Sequence, residues 1–288
     1  MNKKDYFRGM KFFNWIKGSV LVFIGLLITR WEVGVGRFGI NIYFGLPIYF
    51  LIASSGMLVA LILKIEESSE RKKLKFRKLE ISSAVLYLIA FITAIVHTIY
   101  YNLEALNIFL LAFIGIVWFL SIFYGKTWNK RNILANVLIS ISFSLGIIYG
   151  AAINTSVIPI SIFVYFGVVS LLQFSKDLMN ESKNEEKYKR AGAYSLASTL
   201  GAEKTQKISF FLDLVIIILL VLPLIYNFVG ILSMLFYMIP MIIVVVLLGV
   251  AAFLTYKMNA EKTYYRTVKA LSKVGMFFVF TGLILAYF

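Results

Sequence analysis

Residues Ile208–Phe228 read ISFFLDLVIIILLVLPLIYNF, and the stretch before them, Gln173–Lys207, reads QFSKDLMNESKNEEKYKRAGAYSLASTLGAEKTQK. The first stretch is apolar apart from Asp213, and at about 20 residues it has the length a helix needs to cross the hydrocarbon of a bilayer. The second joins it to another apolar run, Ile158–Phe174. Connections between packed helices run about 2 to 8 residues, so this one is longer than a turn requires. It carries Lys176, Lys183, Lys187, Lys189, Arg190, Lys204 and Lys207 beside Asp177, Glu181, Glu185, Glu186 and Glu203. An apolar span, a long two-signed connection and a second apolar span predict a membrane bundle with a polar cap at its mouth. Residues Glu66–Glu80 form a second such connection.

Composition extends this reading to the whole chain. Apolar residues make up 60% and the mean hydropathy is +0.86, outside the range of soluble globular domains. The absence of cysteine removes disulfides, thiolate metal sites and thiol nucleophiles together. His97, the one histidine, argues against a histidine zinc site and against Ser-His-Asp chemistry. A net charge of +15 raises nucleic acid as a partner, but in a membrane protein the positive-inside bias and anionic lipid account for basic loops; no nucleic-acid partner is expected. The opening MNKKDYFRGMKFFNW lacks a short apolar core with a small-residue cleavage site, so no cleavable signal is expected.

Apolar periodicity predicts nine transmembrane helices: 12–28, 40–65, 81–100, 103–124, 133–152, 158–174, 208–228, 231–256 and 271–287. They are expected to be helical because a backbone in lipid must satisfy its own hydrogen bonds, and the ten-residue alternation of barrel strands is missing. Charge tests the count. Of 29 Lys and Arg residues, all but Arg30 and Arg37 fall in the N-terminal tail, in the connections after spans two, four, six and eight, or at their borders. This places the N-terminus in the cytoplasm and the C-terminus outside. Residues 66–80, 125–132 and 175–207 become cytoplasmic cap loops on a single transmembrane domain in the cell membrane.

Single residues carry competing readings. His97, beside Tyr100 and Tyr101, reads as an interfacial hydrogen-bonding residue before it reads as a ligand. Asp213 is an intramembrane acid, which raises a functional role; pairing with a nearby polar group is the simpler role. Gly25, Gly146, Gly150 and Gly167 suit close helix contact, Gly146 and Gly150 at i, i+4. Glu66, Glu67 and Glu70 sit in one run with Arg71, Lys72, Lys73, Lys75, Arg77 and Lys78, as on a solvated helical surface.

The chain also resembles the UbiA superfamily of intramembrane prenyltransferases, and within it the archaeal digeranylgeranylglyceryl phosphate synthases. Lys11-Phe12-Phe13-Asn14 resembles the family's R-x-x-N pattern, with Lys for Arg. Thr127-Trp128-Asn129-Lys130 followed by Ile133-Leu134-Ala135-Asn136 resembles its T-Y-K-K and Gly-Asn pair. Lys176-Asp177 stands where the second Asp-rich motif opens, and Ser195-Leu196-Ala197 ending at Gly201 resembles T-L-P-x-x-x-G. The departures are specific. The first motif, N-D-x-x-D-x-x-x-D, falls on Leu58, Val59, Ile62 and Glu66, where only the last is acidic. The second reads Asp177, Asn180, Lys183 and Asn184, and the Glu preceding Lys-Asp is Gln173.

The resemblance implies an all-α bundle with a central cavity under the cytoplasmic loops. It also implies transfer of a prenyl group, of geranylgeranyl type, from its diphosphate to a lipid or lipid-phosphate acceptor with Mg²⁺. Carried over residue by residue, Asp177 is the catalytic and metal-binding candidate. Asn14, Lys130, Asn136 and Lys176 are substrate-binding candidates. Glu181, at i, i+4 from Asp177, and Glu66 are further candidate metal ligands, since Mg²⁺ favours one or two carboxylates plus phosphate and water. The apolar first motif supports a second function, a catalytically inactive homologue that binds an isoprenoid lipid or a membrane partner. A transporter is a third and weaker fit: Pro223 and Pro240 interrupt apolar spans, but not at corresponding positions.

Overall fold

The computed structural model describes residues 12–34, 37–66, 73–101, 112–120, 123, 133–190, 195–226, 231–257 and 262–288. Its helices are α1 Phe12–Val33, α2 Phe38–Glu66, α3 Lys73–Tyr101, α4 Ile133–Ala152, α5 Ile160–Lys183, α6 Glu185–Arg190, α7 Leu196–Leu200, α8 Ala202–Ile225, α9 Ile231–Lys257 and α10 Lys262–Tyr287. Residues 112–120 are also helical, and no strand occurs among the described residues. Among the described residues six helices are long and apolar enough to cross a membrane: α2, α3, α5, α8, α9 and α10; a shorter apolar helix spans Asn136–Ala152. The protein is a multi-pass, all-helical membrane protein. The expected span at 103–124 falls partly outside the described residues; the one at 12–28 lies within α1, with the side chains of 12–15 outside the described ones.

The chain divides into two compact units, Met1–Asn129 with Ile141–Ile162, and Lys130–Ser140 with Phe163–Phe288. The first turns of α4 therefore belong to the second unit and its remainder to the first.

In the first unit α1 and α4 approach backbone to backbone. A Cβ on Gly25 would lie 2.2 Å from the Ile147 carbonyl oxygen, one on Gly150 2.1 Å from that of Val22, and one on Gly146 2.6 Å from that of Gly18. Small residues permit such contact in a bilayer, where apolar burial gives little drive between helices. Around this crossing Val22, Leu26, Ile48, Tyr49, Ile52, Ala90, Ala94 and Tyr149 form a buried core. Polar pairs tie the same helices. Asn41 Nδ2 donates to Asn154 Oδ1 at 2.8 Å, Asn154 Nδ2 donates to Thr29 Oγ1 at 2.9 Å, and His97 Nε2 lies 3.1 Å from Asn41 Oδ1. His97 is 2% exposed and stacks on Phe44; it is a buried hydrogen-bonding residue of the bundle. Ser55 and Ser83 each donate to the other's backbone carbonyl, joining α2 to α3. An open apolar groove of about 470 Å³ runs along Ile42, Phe44, Pro47 and Thr93.

The second unit packs α5 and α8 to α10. Met179, Ala251, Tyr265 and Val268 form its core, with Leu254 and Leu271 against it. Gly282 lies against α9, where a Cβ would come within 2.9 Å of Pro240 Cβ. Gly167 makes no such approach, its nearest neighbour being Leu219 Cδ1 at 3.7 Å. Phe211, Leu214, Val215, Ile218, Val221 and Ile225 leave an exposed apolar stripe along α8, the face a lipid environment favours. Helix α5 continues to Lys183, well past the point where hydropathy ends the apolar run. That extension carries the candidate residues.

Candidate functional site

The last three turns of α5 hold Gln173, Lys176, Asp177, Asn180 and Glu181 on successive i, i+3 and i, i+4 steps, which bring side chains together on a helix. Gln173 is buried and binds both of its charged neighbours. Its Nε2 donates to Asp177 Oδ2 at 2.7 Å, and its Oε1 accepts from Lys176 Nζ. The amide thus holds an ammonium and a carboxylate side by side at the mouth of the helix.

One turn further, Glu181 is 6% exposed and both of its oxygens are engaged. Oε1 accepts from Asn136 Nδ2 at 2.7 Å; Oε2 accepts from the Leu196 amide at 3.1 Å. Asn136 stands in the first turn of α4, and Leu196 opens α7. A carboxylate at a helix N-terminus satisfies amides that have no partner within the helix. Local sequence prepares that N-terminus: Ser195 Oγ accepts from the Ser198 amide at 3.0 Å and Ser198 Oγ from the Ser195 amide at 2.8 Å, a capping box. Gly201, with φ +88° and ψ 157°, turns the chain from α7 into α8 through a conformation nearly confined to glycine. Ser195 and Gly201 of the T-L-P-x-x-x-G resemblance therefore have a physical reason. They fold the segment back so that α7 caps Glu181.

Two further clusters border the site. Lys269 Nζ on α10 donates to Asn180 Oδ1 at 2.9 Å, and Gln206 donates to the Tyr265 hydroxyl. Beneath them Ser175 Oγ donates to Asp213 Oδ1 at 2.7 Å and lies 2.8 Å from Ser209 Oγ. Asp213 is 1% exposed, and its Oδ2 has no partner among the described residues. Asp213 thus pairs with the Ser175 hydroxyl rather than with a lysine.

Of the sequence-derived candidates, the structure assembles Asn136, Lys176, Asp177 and Glu181 within one unit. Asp177 meets Lys176 through Gln173, and Asn136 meets Glu181. Lys130 lies outside the described residues. Asn14 and Glu66 sit on helices α1 and α2, but their side chains lie outside the described ones. Of the first-motif positions, Leu58 and Ile62 are buried apolar residues. Sequence reading did not single out Lys269, because hydropathy starts the last span at 271 whereas α10 begins at Lys262. The i, i+4 spacing of Tyr265, Lys269 and Lys273 is the signal that was available.

The donor set bears on Mg²⁺. No group of three or more His, Cys, Asp or Glu side chains assembles among the described residues. Glu181 spends its oxygens on Asn136 and α7, and Asp177 spends Oδ2 on Gln173, leaving Oδ1. One carboxylate oxygen suits an ion whose remaining ligands are phosphate and water. It does not suit a protein-built metal cage.

Comparison with known proteins agrees with this arrangement. The UbiA prenyltransferase family profile matches residues 71–281. A digeranylgeranylglyceryl phosphate synthase from Sulfurisphaera tokodaii is 24% identical over 262 residues, covering 86% of this chain and 88% of that protein. A solved digeranylgeranylglyceryl phosphate synthase structure superposes with a TM-score of 0.77 at 21% identity, over 99% of this chain and 98% of the other. The apo UbiA homologue from Aeropyrum pernix K1 gives 0.68 at 12% identity, over 92% and 96%. An Archaeoglobus fulgidus UbiA homologue bound to GPP and Mg²⁺ gives 0.53 at 12%, over 95% and 99%. With the family profile spanning most of the chain, and the capped end of α5 falling inside it, this protein belongs to the UbiA prenyltransferase family.

Proposed function

We propose that this protein transfers a prenyl group, of geranylgeranyl length, from its diphosphate to the hydroxyl of a lipid or lipid-phosphate acceptor in the membrane. The Lys176–Gln173–Asp177 arrangement carries the reading, since it sets a cation and a carboxylate together at the end of a membrane helix. In the reaction the bond between the allylic carbon and the diphosphate oxygen breaks. A bond from the acceptor oxygen to that carbon forms, the hydroxyl proton is lost and pyrophosphate leaves. Lys176 faces the negative charge that builds on the leaving oxygens as a compact point charge. Asp177 would hold Mg²⁺ through its open carboxylate oxygen, and the ion would supply charge neutralisation at the leaving group. Glu181 acts as a positioning residue, locking Asn136 and α7 around the end of α5. Asn14, Lys130 and Glu66 complete the proposal from the resemblance, with nine membrane passes, a single transmembrane domain, a cytoplasmic N-terminus and an external C-terminus.

The test is incubation of purified protein with Mg²⁺, labelled geranylgeranyl diphosphate and candidate lipid acceptors, beside Asp177→Ala. Prenylated product that requires both Mg²⁺ and Asp177 supports transfer. The buried apolar Leu58 and Ile62, where the family motif has asparagine and aspartate, favour the second reading: a homologue that holds an isoprenoid lipid without turnover. Binding of the diphosphate or its alcohol with no product under any acceptor would establish that reading instead.

A further inference from the structure

We infer that Lys183, Lys269 and Lys273 form an ammonium cradle that binds a diphosphate head group without a divalent metal. The inference rests on the prenyl-diphosphate reading for the identity of the ligand, and on the lysines themselves for the site. Lys183 lies at the end of α5, and Lys269 and Lys273 lie one turn apart on α10. Packing of Met179 against Tyr265 and Val268 sets the register of the two helices, and the Lys269–Asn180 hydrogen bond of 2.9 Å closes it. Lys273 stands one turn along α10 from Lys269, Lys183 stands three residues beyond its acceptor Asn180 on α5, and the charges of both, with that of Asp177, act on Lys269. Three cations gather beside one carboxylate.

That imbalance is unlike the rest of the polar cap. On α6 and α8 three basic residues have acidic partners at i, i+4: Lys189 with Glu185 at 2.6 Å, Arg190 with Glu186 at 3.9 Å and Lys207 with Glu203 at 2.8 Å. Among the described residues Lys183, Lys269 and Lys273 have no such pair, and Lys269 donates to a neutral amide oxygen. Like charges brought together at a half-buried position repel one another, and an anion with several oxygens removes the repulsion. A diphosphate presents enough oxygens for three amines at once. Asp177 borders the same group, so its open oxygen and the lysines would face one head group. Asn180, where the family pattern has its second aspartate, here accepts from Lys269, and the ammonium groups meet phosphate directly.

Binding of radiolabelled inorganic pyrophosphate, and separately of the non-reacting geranylgeranyl thiodiphosphate, to the full chain in neutral detergent with EDTA tests this. Both ligands should bind in EDTA. Lys269→Gln should weaken each about tenfold, Lys183→Gln with Lys273→Gln should weaken them further, and Lys207→Gln should leave them unchanged. A circular dichroism melt shows that the variants are folded. No binding in EDTA, or Lys269→Gln binding as tightly as the unaltered protein, overturns the cradle. Mg²⁺-dependent turnover in that case leaves the transferase reading standing. Metal-free binding that needs Lys269, with no turnover, upholds the cradle and removes the transferase reading. Binding of the thiodiphosphate alone, insensitive to Lys269→Gln, reports the isoprenoid tail and also overturns it.

Discussion

Gln173 stands where the family pattern has glutamate, and the substitution changes what its neighbour can do. A glutamate would add a second carboxylate to Asp177, whereas the amide donates to Oδ2 and leaves one oxygen open. Gln173→Glu should therefore lower the Mg²⁺ concentration needed for half-maximal turnover, read from a metal titration of the prenyl-transfer assay. Asp177→Asn should reduce turnover by at least about 100-fold, the scale on which a group aimed at developing charge acts, with the melting temperature nearly unchanged. Glu181→Ala should do the opposite. It strips the acceptor from Asn136 and from the Leu196 amide, and hydrogen bonds to a buried charged group are worth roughly 1.5–3 kcal/mol each. The expected outcome is a lower melting temperature in detergent and cleavage within 184–201 by added protease. Ser175→Ala should destabilise more mildly, by about 0.6–2 kcal/mol in a membrane bundle, because Asp213 loses a hydroxyl but keeps Ser209 nearby.

At the scale of helices, two glycines are constrained for unrelated reasons. Gly150 lacks room: its added Cβ would sit 2.1 Å from the Val22 carbonyl oxygen, and backbone cannot step aside as a side chain can. Gly150→Ala should force α1 and α4 apart and cost about 1–3 kcal/mol, visible as a lower melting midpoint. Gly201 has room, with nothing within 4 Å of the added carbon, but holds φ +88°. Gly201→Ala should cost a similar amount, about 1–3 kcal/mol, through backbone strain, and should loosen the α7 cap on Glu181. Gly167→Ala, facing only Leu219 at 3.7 Å, should leave stability close to unchanged. The length of α5 is a further property of the element. A helix that ended with its apolar run at Phe174 would leave Asp177 and Glu181 on flexible connection. Running to Lys183, it sets them one turn apart on a rigid rod.

For the whole molecule, the proposed nine-pass arrangement would make the two termini accessible from opposite sides of the bilayer. Cysteines introduced singly near Met1 and Phe288, in a chain that has none of its own, should react with an impermeant maleimide from opposite faces of sealed vesicles. Equal labelling from one face would remove the arrangement. How much of this was legible beforehand follows from the forces involved. Hydropathy and charge act along the chain, so the apolar runs, their helical state and the basic asymmetry of the connections could be read from residue order alone. The motif resemblance likewise pointed to Lys176, Asp177 and Asn136 before any packing was known. Partner choice is different in kind. Glu181 and Asp177 look equivalent in sequence, four residues apart on one helix. Only the fold brings Asn136 from another helix and the amide of Leu196 onto the first, while leaving an oxygen of the second open. Lys269 was hidden for the same reason, since its distance in sequence from Asn180 says nothing until α5 and α10 pack through Met179 and Val268. Solvation preferences are carried by each residue wherever it lies, whereas a hydrogen bond exists only once two distant segments have met.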